Sequence, residues 1–294
     1  MQFRTDLAAE AHQFWNGEVE GAELTELENK VVKATRLIIH TEKAAEQLGK
    51  PKGTYITFEN LALSDDFTDA KEKILAIADE IRFLLPSSGS ILAVGLGNIN
   101  TTPDAIGPKS TQYILATRHI QGEWARAAGL DILRPVSVIS PGVLGQTGIE
   151  AGEMILSLVE RLHPAAVIVI DALASRNLSR LGCTVQICDS GIVPGSGVGN
   201  YRFKLDKESL GIPVIAVGIP TVVDALTLAC DILNITDSAD EILGSKITSR
   251  SENMIVTPRE IDLLTERGAK LIGSAVNCAL QSSVDYNTLM SLVS

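Results

Sequence analysis

Two aspartates stand where an α/β protein keeps its reactive groups. Asp171 follows an unbroken apolar run in VIVIDALASR (167–176), and Asp104 lies just past another in LAVGLGNINTTPDAIGP (92–108). Each run reads as a buried strand, and open α/β sheets collect ligands in the crevice beyond the carboxyl ends of their strands. Two carboxylates sharing such a site repel when both are ionised, so one keeps a proton near neutral pH while the other is charged. A pair of this kind activates water and protonates a leaving amine, as in aspartic peptidases. It also suits a metal ion. Asp189 in ICDSG and Asp224 in TVVDA fall at similar positions. They read as helix-capping or first-turn residues, where backbone N–H groups favour a carboxylate. Asp104 and Asp171 sit in more distinctive loops, which converge if their strands are neighbours.

Other reactive groups are weaker candidates. No histidine lies beside either aspartate, and His119 and His163 reach them only through folding. The chain has no GxSxG elbow for a serine nucleophile. Its four cysteines, Cys183, Cys188, Cys230 and Cys278, lack CxxC spacing and read as free or buried thiols of a cytosolic protein. SGIVPGSGVGN (190–200) is dense in glycine but matches neither GxxxxGK(S/T) nor a GxGxxG turn that opens a helix after a first strand. A shape-adapting loop is the simpler reading, with phosphate binding the alternative.

The surrounding elements are those that such a crevice needs. From residue 90 onward, apolar runs alternate with helical stretches. SILAVGLG precedes KSTQYILATRHI, PVSVIS precedes TGIEAGEMILSLVERLH, and AAVIVID precedes ALASRNLSR. TVQICD, IPVIAVG, the helical VVDALTLACDILN, NMIVTP and a last helix within REIDLLTERGAKLIGSAVNCAL follow. This pattern predicts about six core strands in a sheet with helices on both faces. Before it, LAAEAHQFW reads as a helix capped by Thr5 or Asp6, NKVVKATRLIIH and GTYITFEN as strands, and TEKAAEQLGKP as a helix. Residues 65–85 read as an amphipathic helix stopped by Pro86. Residues 29–60 thus form a small β subdomain or an edge extension of a single domain spanning 1–294.

The 294 residues are 45% hydrophobic and 21% charged, as in a globular protein, and with only 4% aromatics the core must be aliphatic. The net charge of −11 argues against nucleic acid or an anionic membrane as a partner. No window is long and apolar enough for a transmembrane helix, and the first residues lack the pattern of a secretory signal.

Taken together, GLGNINTTPDAIGP, SPGVLGQTGIEAGE, VIDALASRNLSRLGCTVQICDSGIVPGSGVGN and GIPTVVDA resemble the bacterial germination protease (spore protease) family, in its order and over nearly the whole chain. The resemblance implies an atypical aspartic endopeptidase that degrades small acid-soluble spore proteins in the cytoplasm of the germinating spore (the forespore or spore core). It implies a homotetramer without a cofactor. The implied fold is a three-layer α/β sandwich with a mixed, mainly parallel sheet, like the hydrogenase maturation proteases, plus an N-terminal strand extension. The proposed catalytic pair of the family falls on Asp104 and Asp171. Hydrogenase maturation proteases use similarly placed acids to hold a nickel ion of their substrate, so a metal-dependent peptidase is the alternative at this pair. A non-catalytic protein that binds spore proteins or nucleotides is the alternative from a different class.

The resemblance also gives meaning to the first residues. The family is made as a zymogen, and its substrates are cut after the first acid of Glu-(Ile or Phe)-Ala-Ser-Glu-like sequences. DLAAE (6–10) repeats that order of acid, large apolar, Ala, small residue and acid. Self-cleavage between Asp6 and Leu7, releasing residues 1–6, is therefore one reading, and an ordinary helix start is the other. An acid before the scissile bond calls for a cation, and Arg176, Arg180 and Arg202 lie near the expected crevice.

Overall fold

A computed structural model describes residues 5–15, 19–27, 32–61, 63, 70–120, 122–194, 203–232 and 254–293. Arg202, most of the glycine-dense loop and the first four residues lie outside them. The strands are β1 (Ala22–Leu27), β2 (Lys33–Ile39), β3 (Gly53–Glu59), β4 (Ile91–Gly95), β5 (Val136–Ile139), β6 (Ala166–Ser175), β7 (Val185–Cys188), β8 (Val214–Asp224) and β9 (Ile255–Val256). The helices are α1 (Ala8–Phe14), α2 (Glu42–Leu48), α3 (Ala70–Leu84), α4 (Ile106–Thr111), α5 (Glu123–Ala127), α6 (Leu144–Thr147), α7 (Ala151–Leu162), α8 (Lys207–Leu210), α9 (Ala225–Ile232), α10 (Ile261–Leu280) and α11 (Tyr286–Val293).

All the strands join one mixed sheet in the order β1-β2-β3-β7-β8-β6-β4-β5, with β9 pairing on β8. β5, β4, β6 and β8 are mutually parallel. From β8 outward, β7, β3, β2 and β1 pair antiparallel and carry the sheet into the N-terminal part of the chain. This is the mixed α/β sandwich with an N-terminal strand extension that the resemblance implies, parallel in its centre and antiparallel towards the N-terminal strands. β4 to β9 account for the six strands expected after residue 90.

Strand alternation distributes the core between two faces. Val167 and Val169 of β6 pack with Leu92 and Val94 of β4 against Ile155 and Val159 of α7. Ala166, Ile168 and Ile170 point the other way, into a cluster with Ile77 and Ile81 of α3 and Leu271 and Ile272 of α10. Both faces are buried, which is why the central strands read as unbroken apolar runs rather than alternating ones. A third cluster seats Ala8 of α1 and Ala44 of α2 on Leu37, Tyr55 and Ala216.

Several local expectations are corrected. ALASRNLSR is not helical from its start. β6 runs on through Ser175, because Ala172 to Ser175 keep pairing with Ile219 to Val223 of β8, and only a 3-10 turn at Leu178–Arg180 follows. Likewise β8 continues to Asp224, and helix begins at Ala225 rather than at the two valines. The helix expected in KSTQYILATRHI is confined to α4, which starts upstream at Ile106 and carries Pro108 in its first turn, where a missing N–H costs nothing. Neither Thr5 nor Asp6 caps α1. Its N-cap is Leu7, without a side-chain cap bond. β1 was not anticipated, because it pairs only with β2 and its mostly exposed residues carry no apolar signal.

One close approach brings the pieces that matter together. A Cβ on Gly107 of α4 would lie 2.1 Å from the Leu96 carbonyl oxygen and 2.5 Å from that of Ile170. α4 therefore rests directly on the ends of β4 and β6, which only glycine permits. Gly107→Ala is expected to cost about 3 kcal/mol, the upper range for overpacking, and to lower the melting temperature by roughly 5 °C or more. Gly145→Ala, where nothing lies within 4 Å of the added carbon, should shift stability by no more than about 0.5 kcal/mol. Equal melting temperatures for the two variants would contradict this packing.

Candidate active site

β4 and β6 are hydrogen-bonded neighbours, so the loops after their apolar runs do converge. Gly95 pairs with Ile170, and the Leu96 N–H donates to the Ile170 carbonyl at 2.8 Å. The chain leaving β4 then turns through Gly97, whose φ of +113° and closeness to the Asp104 carbonyl (2.0 Å for an added Cβ) leave room for no side chain. Asp104 ends a 3-10 turn at Thr102–Asp104, its N–H donating to the Thr101 carbonyl at 2.8 Å. Its carboxylate Oδ2 accepts the Asn98 N–H at 2.8 Å, and the Asn98 side chain is held by Gln146 Nε2 at 2.7 Å. From below, the buried Thr221 hydroxyl donates to the Pro103 carbonyl at 2.6 Å. The aspartate is thus fixed through its own main chain, its carboxylate and the residue before it.

Asp171 lies in the middle of β6, opposite Gly218 of β8. It occupies the face that holds Val167 and Val169, towards α7, and its Oδ1 accepts the Ala172 N–H at 2.8 Å. The register with β8 slips between Leu173 and Ala174, a bulge that bends the strand beside the site. Asp104 and Asp171 line one cleft of about 260 Å³, together with Val143, the start of α7, Phe203 and Ile255. The mostly apolar wall lowers the local dielectric, which strengthens whatever charge interactions the two carboxylates make.

Two further acids line the same cleft, Glu150 just before α7 and Asp6 from the N-terminus. Asp6 exchanges two hydrogen bonds with Ala174 of β6. Its N–H donates to the Ala174 carbonyl at 2.9 Å, and its Oδ2 accepts the Ala174 N–H at 2.8 Å. Leu7 is fully buried beside it. The segment is anchored further on by Glu10, whose buried carboxylate accepts the N–H groups of Arg176 and Asn177 at 2.8 and 2.9 Å and the hydroxyl of Thr5.

The arginines are placed differently from expectation. The Arg180 guanidinium is buried between Glu10 (3.8 Å) and Glu59 (2.6 Å), two carboxylates of the fold. Its charge is committed to them, and it does not line the cleft. The Arg176 main chain holds Glu10, and this residue does not line the cleft either. Arg202 lies outside the described residues. Of the other strand-end acids, Asp224 caps α9, accepting the Thr227 N–H at 3.1 Å, as its position implied. Asp189 instead takes the Thr54 N–H at 2.7 Å and ties β7 to β3.

Thr221, Gln186 and Lys50 were not singled out from sequence. A signal exists for the first two, each a polar residue inside a run otherwise fit for a buried strand, in GIPTVVD and TVQICD. Lys50 carries none, since a lysine after a helix end is an ordinary surface residue. Among the described thiols, burial pushes Cys183, Cys188 and Cys278 above the usual thiol range, which makes them weak nucleophiles. Among the described residues no group of three His, Cys, Asp or Glu side chains could hold a metal ion. Nor is any described helix long and apolar enough to cross a membrane.

Comparison with known proteins agrees with the motifs. The family model for germination proteases matches residues 4–238. The germination protease of Caldanaerobacter subterraneus subsp. tengcongensis is 40% identical, covering 99% of this chain and 98% of that protein. The germination protease of Priestia megaterium is 35% identical, over 96% and 94%. Among solved structures, a NiFe hydrogenase maturation protease from Thermococcus kodakarensis KOD1 aligns with a TM-score of 0.37 at 16% identity, covering 67% of this chain and 98% of that one. By its family match and its full-length relatives, this chain belongs to the germination protease family and is a peptidase.

Proposed function

We propose that the chain is an aspartic-type endopeptidase that opens the degradation of small acid-soluble spore proteins during germination, cutting after Glu in Glu-(Ile or Phe)-Ala-Ser-Glu-like sites. The observation that carries this reading is the shared cleft of Asp104 and Asp171, on a scaffold that fixes both. A water between the two carboxylates gives a proton to one of them, and its oxygen bonds to the scissile carbonyl carbon. The carbon–nitrogen bond then breaks as the other carboxyl passes its proton to the leaving nitrogen. Acid and base are interchangeable between the two positions in this scheme, and the pair returns to one proton after each turnover.

The enzyme is made as a zymogen in this reading and removes its own residues 1–6 by cutting between Asp6 and Leu7. Asp6 already lies in the cleft with the pair, which supports cleavage in place. The same reading puts the protein in the spore core as a homotetramer.

Mass spectrometry of a Glu-Ile-Ala-Ser-Glu-containing peptide incubated with the purified protein tests the activity. Cleavage after the first Glu is expected from the wild type. Asp104→Asn or Asp171→Asn should lower kcat by about four orders of magnitude, the scale lost when a catalytic group that acts as part of a unit is disabled, with the far-ultraviolet spectrum and melting curve preserved. A fully active Asp171→Asn protein would sink the two-aspartate mechanism. Intact mass under the same conditions tests the processing: the wild type should lose residues 1–6 and both variants should keep them. A wild type that cuts peptide while its own mass stays constant would remove the zymogen reading alone.

A further inference from the structure

Asp6 is the residue of the N-terminal segment that lines the cleft, and the contacts of Thr5 and Asp6 extend from it to groups beyond the cleft wall. The Ala174 main chain takes both the N–H and the carboxylate of Asp6. The Asp6 carbonyl accepts Gln186 Nε2 at 3.0 Å. One residue earlier, the Thr5 carbonyl accepts Lys50 Nζ at 2.8 Å. The segment thus spans from β6 to β7, across the intervening β8. Gln186 is oriented in turn, because its Oε1 accepts the Ala8 N–H at 2.7 Å.

We propose that the Ala174 main chain, Gln186 and Lys50 form the subsite for the residue preceding the scissile bond, that this subsite selects an acidic side chain, and that Thr5 and Asp6 fill it in cis. This deepens the endopeptidase reading and rests on it. Loss of residues 1–6 strips Ala174, Gln186 and Lys50 of these partners, and buried donors without partners are costly. An extended substrate replaces the partners one for one. Its main-chain N–H pairs with the Ala174 carbonyl, its acidic side chain with the Ala174 N–H, and its preceding carbonyl with Lys50.

The Lys50 ammonium supplies the cation that Arg180 does not. Burial pulls it below the usual lysine range, and the negative charge of Asp6 is the first influence to oppose that. An ionised acid in the subsite therefore gains an attraction that its neutral amide lacks. Gln186 donates to the carbonyl that is attacked, where negative charge develops on oxygen. The selecting group is then Lys50 on the loop after α2, not Arg180, whose charge Glu10 and Glu59 already hold.

The probe is the Glu-Ile-Ala-Ser-Glu peptide beside the same peptide with Gln in the first position. The wild type is expected to prefer the Glu form by at least about tenfold in kcat/KM, the scale of a hydrogen bond to a charged group. Lys50→Met should bring the two peptides to near parity by slowing the Glu form alone, and Lys50→Arg should restore the preference. A misfolded or merely loosened protein would slow both peptides together, so the ratio separates selection from scaffolding. Gln186→Leu should lower kcat on both peptides by about 100-fold with the ratio kept, as for loss of an oxyanion donor. A Glu preference that survives Lys50→Met overturns the subsite while leaving the endopeptidase intact. A Glu peptide that the wild type does not cut removes the endopeptidase reading, and this subsite with it.

Discussion

The pairing of β6 with β8 is the interaction on which the rest of the site depends. The two strands run parallel from Val167 and Val214 to Ser175 and Val223, well past the point where the apolar run in the sequence gives out. That extra length does three things. It keeps Asp171 inside a strand instead of on a free loop, it presents the Ala174 main chain to the N-terminal segment, and it brings Thr221 beneath the turn that carries Asp104. A site built on strands is held more tightly than one built on loops, because each ladder bond restrains its neighbours. The slip in register after Leu173 is the local cost of fitting the two long strands together.

Gly97 and Gly107 make the second constraint, at the end of β4. They let α4 and the Asp104 turn close directly onto the main chain of β4 and β6. With larger residues the turn would ride higher, and the two carboxylates would face different spaces. The chemistry of the cleft therefore depends on backbone approach as much as on the acids themselves. The N-terminus adds to the same region from the other side, where Glu10 and Arg180 bind it to the turn after β6.

Much of this was legible in the sequence, and for definite reasons. An aspartate after five apolar residues is conspicuous, so Asp171 and the α/β alternation around it stand out. Asp104 stands out through the glycines and prolines that crowd its loop. The continuation of β6 through ALAS was not legible, because four small or aliphatic residues suit helix and strand equally, and the choice is made by the partner strand. The direction of Arg180 was hidden for a related reason. Nearness in sequence placed Arg180 by the cleft, but its direction was set by Glu10 and Glu59, which are remote in sequence. Lys50 and Gln186 had no local signal that marked them as a pair. Only the path of the N-terminal segment joins them.

The central claim is that Asp104 and Asp171 act as one unit on one water. It is tested most directly by comparing kcat/KM of Asp104→Asn, Asp171→Asn and the double variant on a single peptide. The account predicts that either single change removes nearly all of the activity and that the double variant is no slower than the worse single one. Losses that simply multiply in the double variant would mean that the two aspartates work independently and would contradict it.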